Sequence, residues 1–313
     1  MSLTPKLALS RAKLDRDAPS RDIPDLLDSL WANPASKVVC TWRGEVLVEN
    51  GDGLELAYRS PGEIPRPDTL IYLGKSTEGD EDLGVGTPVL AAVCSDEDAQ
   101  SIQPDTTMWV SGRTSGHALS DRDAGVLVQA LALANWHTAH RFSPVSGERL
   151  VSGSAGWVLV DGESGKSVFP RTDAAIIVLI TDRDDRIVLG SNALWETQRY
   201  SLLAGFVEPG ESLEAAVARE VFEESGLVVA NPRYVGSQPW PFPASLMVGF
   251  TAQLDHEASG PLRPDGTEIV DLRWFSRDQL RESLGDVVLP GRTSIARAMI
   301  EDWYGEPLPE TAW

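Results

Sequence analysis

Hydrophobic and polar residues alternate with a period of two in several short stretches of the N-terminal half of the chain, which is typical of half-buried strands. Two of these stretches flank the turn Arg43-Gly44. The pattern predicts strands at 37–42, 45–48, 68–73 and 88–93, and surface loops at 74–86 and 111–120. We therefore expect a domain rich in β-strand over residues 1–130.

The hydrophobic period becomes helical between Asp121 and His140, and this predicts a helix that leads out of the first domain. His137 and His140 lie three positions apart near its end, a spacing that could serve a metal ion. Because no third ligand lies nearby, we expect exposure or an interaction with the helix dipole instead. Residues 131–170 are interpreted as this helix end followed by a polar, turn-rich linker.

The C-terminal part alternates strand-like and helical patterns. The apolar run at 174–180, a polar turn and the run at 186–189 predict a hairpin. Further strands are predicted at 200–206, 233–237, 246–252 and 272–275, and helices at 277–284 and 294–303. Because strands lie on both sides of a central helix between Ser212 and Gly226, we predict an α/β (α+β) fold over 171–313, a mixed sheet sandwiched between helices.

Composition excludes several classes of protein. The formal charge of −20 over 313 residues argues against a broad basic surface for nucleic acid. The N-terminus carries charges where a signal peptide needs an apolar core, and the longest apolar run is too short for a bilayer, so we expect a cytoplasmic protein without a membrane partner. Cys40 and Cys94 are the two cysteines, which excludes a disulfide framework and predicts buried, reduced thiols.

The stretch from Gly205 to Leu227 is the strongest candidate for chemistry. Pro209 and Gly210 predict a turn, Ser212 an N-cap, and Gly226 a helix end. The glutamates at i, i+3 and i+4 of this helix share one face, and they are Glu220, Glu223 and Glu224. Such oxygen ligands select Mg²⁺ or Mn²⁺, whereas the alternative interpretation is a solvated acidic face.

The spacing of this stretch resembles the box of the Nudix hydrolases. Gly205 is followed after five residues by Glu211, and after seven more by the run Arg219 to Leu227. In this pattern Arg219 lies one turn before Glu223 and holds it. The resemblance implies Mg²⁺- or Mn²⁺-dependent hydrolysis of a nucleoside diphosphate linked to a further group.

A second motif, the proline-rich segment 237–245, follows the box. Its three prolines fix φ, so that Trp240 and Phe242 are presented on a stiff loop that suits a flat ring. Alternatively, the segment is a packing loop or a ligand for a small adaptor domain.

Placed after the box, this segment resembles the marker of the NADH pyrophosphatase subfamily of Nudix hydrolases. Asn135-Trp136-His137, Phe169-Pro170 and Ile295-Ala296-Arg297 also resemble that family, so the similarity covers about residues 130–305. It implies cleavage of NADH or NAD⁺ to nicotinamide mononucleotide and AMP by a homodimer.

The resemblance also implies roles for individual residues. Metal ligands would be Glu220, Glu223, Glu224, Glu268 and the carbonyl of Ala204. The catalytic set would add Glu211 and Arg219, and one of Glu223, Glu224 or Glu268 could take a proton from water. Substrate binding would involve Phe169, Gln238, Pro239, Trp240, Pro241, Phe242, Pro243, Ala244, Ser245 and Ala296.

The chain departs from the family at the zinc ribbon that often joins the two domains. The four cysteine positions are here Ser143, Ser146, Asp161 and Ser164. Because neutral serines do not hold zinc as thiolates do, we expect no zinc. We expect a metal-free ribbon-like linker, stabilised by packing or by a dimer partner.

Three alternatives remain for the function. The substrate could be NAD at the 5′ end of RNA, since the scissile bond is identical, or another Nudix substrate such as ADP-ribose or a dinucleoside polyphosphate. The third is a catalytically silent nucleotide-sensing module. A silent module would be expected to lose a box glutamate, and the box glutamates are all present.

Overall fold

The computed structural model describes residues 2–51, 53–79 and 83–310. They form two compact units. The C-terminal unit comprises residues 2–10, 173–239 and 245–310, and the N-terminal unit comprises the described residues of 11–172 together with 240–244. The predicted domain boundaries at 130 and 170 stay predictions.

The N-terminal unit contains ten strands and four α-helices among its described residues. The strands are β1 (Leu14–Asp15), β2 (Lys37–Trp42), β3 (Glu45–Asn50), β4 (Leu54–Leu56), β5 (Thr69–Ser76), β6 (Pro88–Val93), β7 (Trp109–Val110), β8 (Leu150–Gly153), β9 (Val158–Asp161) and β10 (Ser167–Val168). The helices are α1 (Leu26–Ala32), α2 (Asp96–Ile102), α3 (Gly112–Ser115) and α4 (Asp121–Ala139).

The main sheet of this unit has the strand order β1-β5-β6-β2-β3-β4, with β7 paired to β3. The predicted hairpin of β2 and β3 is confirmed, because Arg43 and Gly44 both have the positive φ that a two-residue type I′ turn needs. The helix predicted at 121–140 is confirmed as α4, whose apolar residues pack in the interior. Cys40 and Cys94 are free and buried, as predicted.

Both loop predictions in this unit are wrong in part. The loop at 74–86 starts later, because β5 continues to Ser76 and pairs there with Leu14 of β1. Residues 80–82 of that loop lie outside the described residues. The loop at 111–120 contains α3, whose first turn is capped when the Ser111 hydroxyl accepts the N–H of Arg113.

The ribbon-like segment is a small antiparallel sheet of order β10-β9-β8. Its loops converge on the buried carboxylate of Asp161. The hydroxyls of Ser143 and Ser146 donate to Asp161 Oδ2 over 2.6 and 2.8 Å. The backbone N–H groups of Glu163 and Ser164 donate to Oδ1 over 2.9 and 3.1 Å. Hydrogen bonds, first that of Ser143, hold the pKa of Asp161 well below its usual range.

A carboxylate thus joins the two loops in which the family's cysteines would stand. Four donors from both loops meet one anion, and charge-assisted hydrogen bonds are stronger than neutral ones. We predicted that packing or a dimer partner would stabilise this segment. This buried hydrogen-bond cluster is a further source of stability that the prediction missed.

The C-terminal unit contains six strands and three α-helices among its described residues. The strands are β11 (Asp173–Thr181), β12 (Ile187–Asn192), β13 (Leu203–Phe206), β14 (Val229–Trp240), β15 (Ser245–Leu254) and β16 (Ile269–Phe275). The helices are α5 (Leu213–Ser225), α6 (Arg277–Ser283) and α7 (Ile295–Tyr304). The strand order is β14-β15-β11-β12-β16, with β13 paired to β11.

The mixed character of this sheet is confirmed, because β11 runs parallel to β15 and antiparallel to β12 and β13. Two strands differ in length from the prediction. The strand predicted at 200–206 begins only at Leu203, because Ser201 forms an isolated bridge with Gly190. The strand predicted at 233–237 extends over Val229–Trp240, an edge position where prolines are tolerated.

Helices cover both faces of the sheet, as predicted. Successive residues of β11 point to opposite faces, so Ile176 and Val178 pack against Val217 and Val221 of α5. Ile177 and Leu179 pack instead in a second core with α7. Each such side chain stabilises the fold by roughly 1.5–3 kcal/mol when it is fully buried.

Residues near the start of the chain complete the second core of the C-terminal unit. Leu3 and Leu7 are buried beside Met299 and Ile300 of α7. The N–H of Leu3 donates to the carbonyl of Val235 on β14 over 2.6 Å. Among the described residues, no helix is long and apolar enough to cross a membrane.

Replacing Asp161 by alanine should lower the thermal stability of the ribbon-like sheet, because four donors lose their acceptor at once. Hydrogen–deuterium exchange of residues 142–168 would measure the effect locally. Because the folded pKa of Asp161 lies below the unfolded value of about 3.9, its stabilisation is present above that pH and is lost as the pH falls further. The difference from wild type should therefore shrink below about pH 4.

Glu163→Ala is the matched control, since it removes an exposed carboxylate two residues away. Equal exchange in the two variants would contradict the role given to Asp161. A zinc-to-protein ratio near one in purified protein would contradict the expectation of a metal-free linker.

Candidate functional site

Helix α5 presents an apolar face to the sheet and an acidic face beside β13. Its N-cap is Ser212, whose hydroxyl accepts the N–H of Ala215, and it ends at Gly226 with a φ of 70°. Both ends are as predicted. The two faces follow from the sequence, because Ala216, Val217 and Val221 alternate with the glutamates at helical spacing.

Arg219 binds the carboxylates that precede and follow it. Its Nη2 and Nε contact the two oxygens of Glu211 over 2.5 and 3.2 Å. Its Nη1 lies 2.9 Å from Glu220 Oε1 and 3.0 Å from Glu223 Oε2. These contacts, first that with Glu211, raise the pKa of Arg219, while the guanidinium lowers the pKa of Glu211. Arg219 therefore fixes the orientation of three carboxylates.

Gly205 makes room for the Glu220 carboxylate. A Cβ placed on Gly205 would lie 2.0 Å from both Cδ and Oε1 of Glu220, which no real side chain could do. The backbone of β13 thus forms a cradle for this carboxylate. Burial raises the pKa of Glu220, although the adjacent Arg219 opposes the shift.

Glu224 is the most deeply buried carboxylate of the group, with 5% of its surface exposed. Burial raises its pKa to about 8, followed in effect by the negative charges of Glu268 and Glu220, while the Ala204 N–H opposes the shift. Its Oε2 has no hydrogen-bond partner among the described residues. A buried oxygen of this kind is costly unless something positive meets it.

Glu268 is held by residues that sequence reasoning missed. Asp265 Oδ1 accepts the N–H groups of Thr267, Glu268 and Ile269 over 3.1, 3.1 and 2.8 Å. Asn192 at the end of β12 donates to Glu268 Oε1 over 3.3 Å. The run Asp265-Gly266-Thr267 is a turn signal that could have identified Asp265, whereas Asn192 gives no such signal.

These carboxylates could hold a divalent metal ion. Among residues 2–51, 53–79 and 83–310, no three His, Cys, Asp or Glu side chains stand in an arrangement that would itself hold an ion. As placed, Glu220 and Glu223 each contact Arg219 through one carboxylate oxygen. The set fits a hard cation nevertheless, because its donors are all oxygens and Glu224 Oε2 is buried and unpaired.

The aromatic segment 240–244 belongs to the N-terminal unit. Trp240 and Phe242 pack edge to face, with ring centroids 5.0 Å apart. The guanidinium of Arg113 lies 5.7 Å from the centroid of the Trp240 ring. Asn135 of α4 donates to the carbonyls of Pro241 and Pro243 over 2.8 and 3.4 Å. Helix α4 thus binds the backbone on both sides of Phe242.

The other predicted site residues have diverse surroundings. Gln238, in the C-terminal unit, is fully buried and donates to the carbonyl of Thr293 over 2.6 Å. Ala296 is buried at the start of α7. Phe169 is 64% exposed in the N-terminal unit. Pro239, Ala244 and Ser245 are partly buried, and Pro243 is exposed. The substrate contacts of these residues stay predictions.

His137 of α4 and His140, which follows the helix, each contact a backbone carbonyl. Nε2 of His137 lies 2.8 Å from the carbonyl of Gly156, and Nδ1 of His140 lies 3.1 Å from that of Trp136. Burial lowers the pKa of His137, opposed by the Gly156 carbonyl. The contact of His140 agrees with the expected interaction at the helix C-terminus, whereas neither histidine is fully exposed.

Comparison with known families matches both parts of the chain. The NUDIX domain family matches residues 170–297. The family described as "NADH pyrophosphatase-like rudimentary NUDIX domain" matches residues 35–136. The sequence alone predicted the β-rich character of that first domain but not its relation to the second.

Curated relatives are similar over nearly the whole chain. The NAD-capped RNA hydrolase NudC of Mycobacterium bovis (strain BCG / Pasteur 1173P2) is 39% identical over 305 residues, which cover 94% of each chain. The protein of the same name from Mycobacterium tuberculosis (strain ATCC 25177 / H37Ra) is 38% identical with the same coverage. A solved NUDIX hydrolase from Nitrosomonas europaea is similar with a TM-score of 0.42 and 19% identity, over 53% of this chain and 94% of that one.

Replacing Gly205 by alanine should weaken Mn²⁺ binding about tenfold or more, because the new Cβ expels the Glu220 carboxylate from its cradle. Calorimetric titration with Mn²⁺ would measure the change. Gly285→Ala is the matched control, since a Cβ there has no atom within 4 Å and Gly285 has an ordinary φ. An unchanged affinity of Gly205→Ala for Mn²⁺ would contradict the role of Gly205 in making room for the Glu220 carboxylate.

Replacing Glu224 by glutamine should stabilise the metal-free protein at alkaline pH. Because the folded pKa of about 8 lies above that of the unfolded chain, the wild type loses stability as the pH rises between the two values. We expect a gain of about 2–4 kcal/mol in unfolding free energy at pH 9, which vanishes near pH 4. Urea unfolding as a function of pH would measure it, with the exposed Glu214→Gln as control. A difference in unfolding free energy that does not vary with pH would contradict a raised pKa for Glu224 in the folded protein.

Proposed function

The chain belongs to the Nudix hydrolases, in the group of the NADH pyrophosphatases and NudC, and on that premise we propose that it hydrolyses the pyrophosphate bond of NADH and NAD⁺. The products would be nicotinamide mononucleotide and AMP. Nudix hydrolases typically need a divalent metal ion, and we propose Mg²⁺ or Mn²⁺ for this chain.

One observation carries the proposal, the buried and unpaired oxygen of Glu224 beside Glu220 and Glu268. Three carboxylates in such close proximity repel one another, and this electrostatic cost is recovered when they share a cation. A pyrophosphate is itself an anion and would be repelled by the bare site. The arrangement therefore supports chemistry on an anionic substrate that arrives with, or after, a divalent ion.

The proposed roles follow from the contacts of each residue. Glu220, Glu223, Glu224 and Glu268, with the Ala204 carbonyl, would hold the ions. When bound, such ions lower the pKa of a coordinated water and neutralise charge on the phosphates. Arg219 and Glu211 orient the glutamates, a supporting role. One of Glu223, Glu224 or Glu268 would accept the proton of the attacking water.

The aromatic segment is proposed to recognise a flat ring of the substrate. Trp240 and Phe242 offer a preorganised edge-to-face pair, and stacking on such rings adds roughly 0.5–1.5 kcal/mol beyond the area that is buried. Phe169 is proposed as a further stacking residue, since it is exposed. Gln238 and Ala296 would act through support of the backbone, because their side chains are buried.

A second candidate substrate is the NAD-capped 5′ end of RNA. The names of the two mycobacterial relatives favour it. The charge of −20 limits contacts with the phosphates beyond the cap. If capped RNA is a substrate, its hydrolysis should therefore depend only weakly on salt, unlike that of an enzyme with a basic RNA groove. The homodimer predicted from the sequence is retained as a proposal for the assembly.

Steady-state rates with a substrate panel would test the proposal. Purified protein with Mg²⁺ or Mn²⁺ should cleave NADH and NAD⁺ with higher kcat/KM than ADP-ribose, and chelation of divalent ions should abolish the reaction. Glu224→Gln should reduce kcat by at least about 100-fold, because loss even of a supporting group at a metal site costs about 10- to 100-fold. Rates of NAD-capped RNA hydrolysis at two salt concentrations would test the second candidate substrate.

Three outcomes would contradict parts of the proposal. Faster cleavage of ADP-ribose would reassign the substrate. Near-normal turnover by Glu224→Gln at saturating Mg²⁺ would remove the metal role of that residue. Tight binding of NAD(H) without hydrolysis under every metal condition would indicate a sensing module.

A further inference from the structure

Segment 240–244 has few backbone donors, because prolines alternate with its aromatic residues. Within it, the N–H of Phe242 donates to the carbonyl of Trp240 over 2.7 Å and closes a tight turn around Pro241. Such a turn leaves the carbonyls of Pro241 and Pro243 directed away from the segment's own donors. An outside donor is needed to satisfy them.

Asn135 supplies that donor from within the same compact unit. Its Nδ2 carries two hydrogens and lies 2.8 Å from the Pro241 carbonyl and 3.4 Å from the Pro243 carbonyl. One carboxamide therefore bridges the residues on both sides of Phe242. No other residue type of this size offers two such hydrogens on one atom without a charge.

Helix α4 gives Asn135 a rigid base. Its neighbours along the helix, Ala134 and Trp136, are 5% and 4% exposed, and the helix continues for a further turn to Ala139. The Asn135 side chain is itself half-buried. Because this packing restricts the Asn135 rotamer, the side chain holds segment 240–244 at a fixed position relative to helix α4.

We propose that Asn135 is a positioning residue for the Trp240–Phe242 ring pair. The inference rests on the proposed function, because it assumes that this pair recognises the substrate. Asn135 touches neither substrate nor reacting atoms in this role. It holds two carbonyls so that the edge-to-face pair is preorganised before a ring binds, and preorganisation lowers the entropic cost of binding.

The proposal predicts a change in substrate affinity with little change in chemistry. Asn135→Asp keeps the shape but turns both donors into acceptors that face carbonyls. KM for NADH should rise about five- to tenfold, the range expected for one or two lost hydrogen bonds, while kcat changes less than about twofold. Thr138→Ala is the matched control, since its hydroxyl bonds only within α4, to the carbonyl of Ala134 over 2.9 Å.

A double-mutant cycle separates positioning from a general effect on the fold. In a Phe242→Ala background, the pair no longer exists, so Asn135→Asp should raise KM less than about twofold. If Asn135→Asp raised KM by the same factor in the wild-type and Phe242→Ala backgrounds, the proposal would be overturned. An unchanged KM in Asn135→Asp alone would overturn it as well.

A second measurement does not depend on catalysis. In protein labelled with 5-fluorotryptophan, the ¹⁹F resonance of Trp240 can be assigned with Trp240→Phe. Asn135→Asp should shift or broaden this resonance and leave the tryptophans other than Trp136, its neighbour in sequence, unchanged, whereas Thr138→Ala should leave the Trp240 resonance as in wild type. An unmoved Trp240 resonance would overturn the proposal. If the wild type cleaves no NAD(H), the proposed function fails, and the ¹⁹F result alone decides whether Asn135 positions the ring pair.

Discussion

The burial of the Glu224 carboxylate beside other carboxylates is the constraint on which the C-terminal unit depends. Ionisation of this carboxylate without a cation nearby is unfavourable, and burial accordingly raises its pKa to about 8. Packing of Val217 and Val221 against β11 fixes helix α5 in spite of it. The hydrophobic face thus stabilises a helix whose acidic face is destabilising by itself, which is common where stability is exchanged for function.

The backbone of β13 explains why the site requires glycine at one position. Most side chains of the sheet fill space, but at Gly205 the space is taken by the Glu220 carboxylate. Arg219 then holds the same carboxylate from the other direction. The absence of a side chain at Gly205 on β13 therefore matches the Glu220 carboxylate on α5. Neither residue could be replaced without affecting the other.

How much of this was predictable depends on the distance between partners along the chain. The cap of α5, its end at Gly226 and the contact of Arg219 with Glu223 are local, and the sequence predicted them. Two other clusters were not predictable. The Asp161 carboxylate meets Ser143 from 18 residues away, and Asn135 meets Pro241 from 106 residues away. Hydrogen bonds of that kind are decided by topology, and no local pattern specifies them.

The placement of residues 2–10 has a consequence for the order of folding during synthesis. Leu3 and Leu7 leave the ribosome before any of the strands, but part of the core in which they are buried, including Met299 and Ile300, belongs to α7. Most of the N-terminal unit, residues 11–172, lies between them in sequence and emerges first, whereas its segment 240–244 follows later. The C-terminal unit closes its core only after α7 is made, so the nascent chain carries two exposed leucines through most of translation.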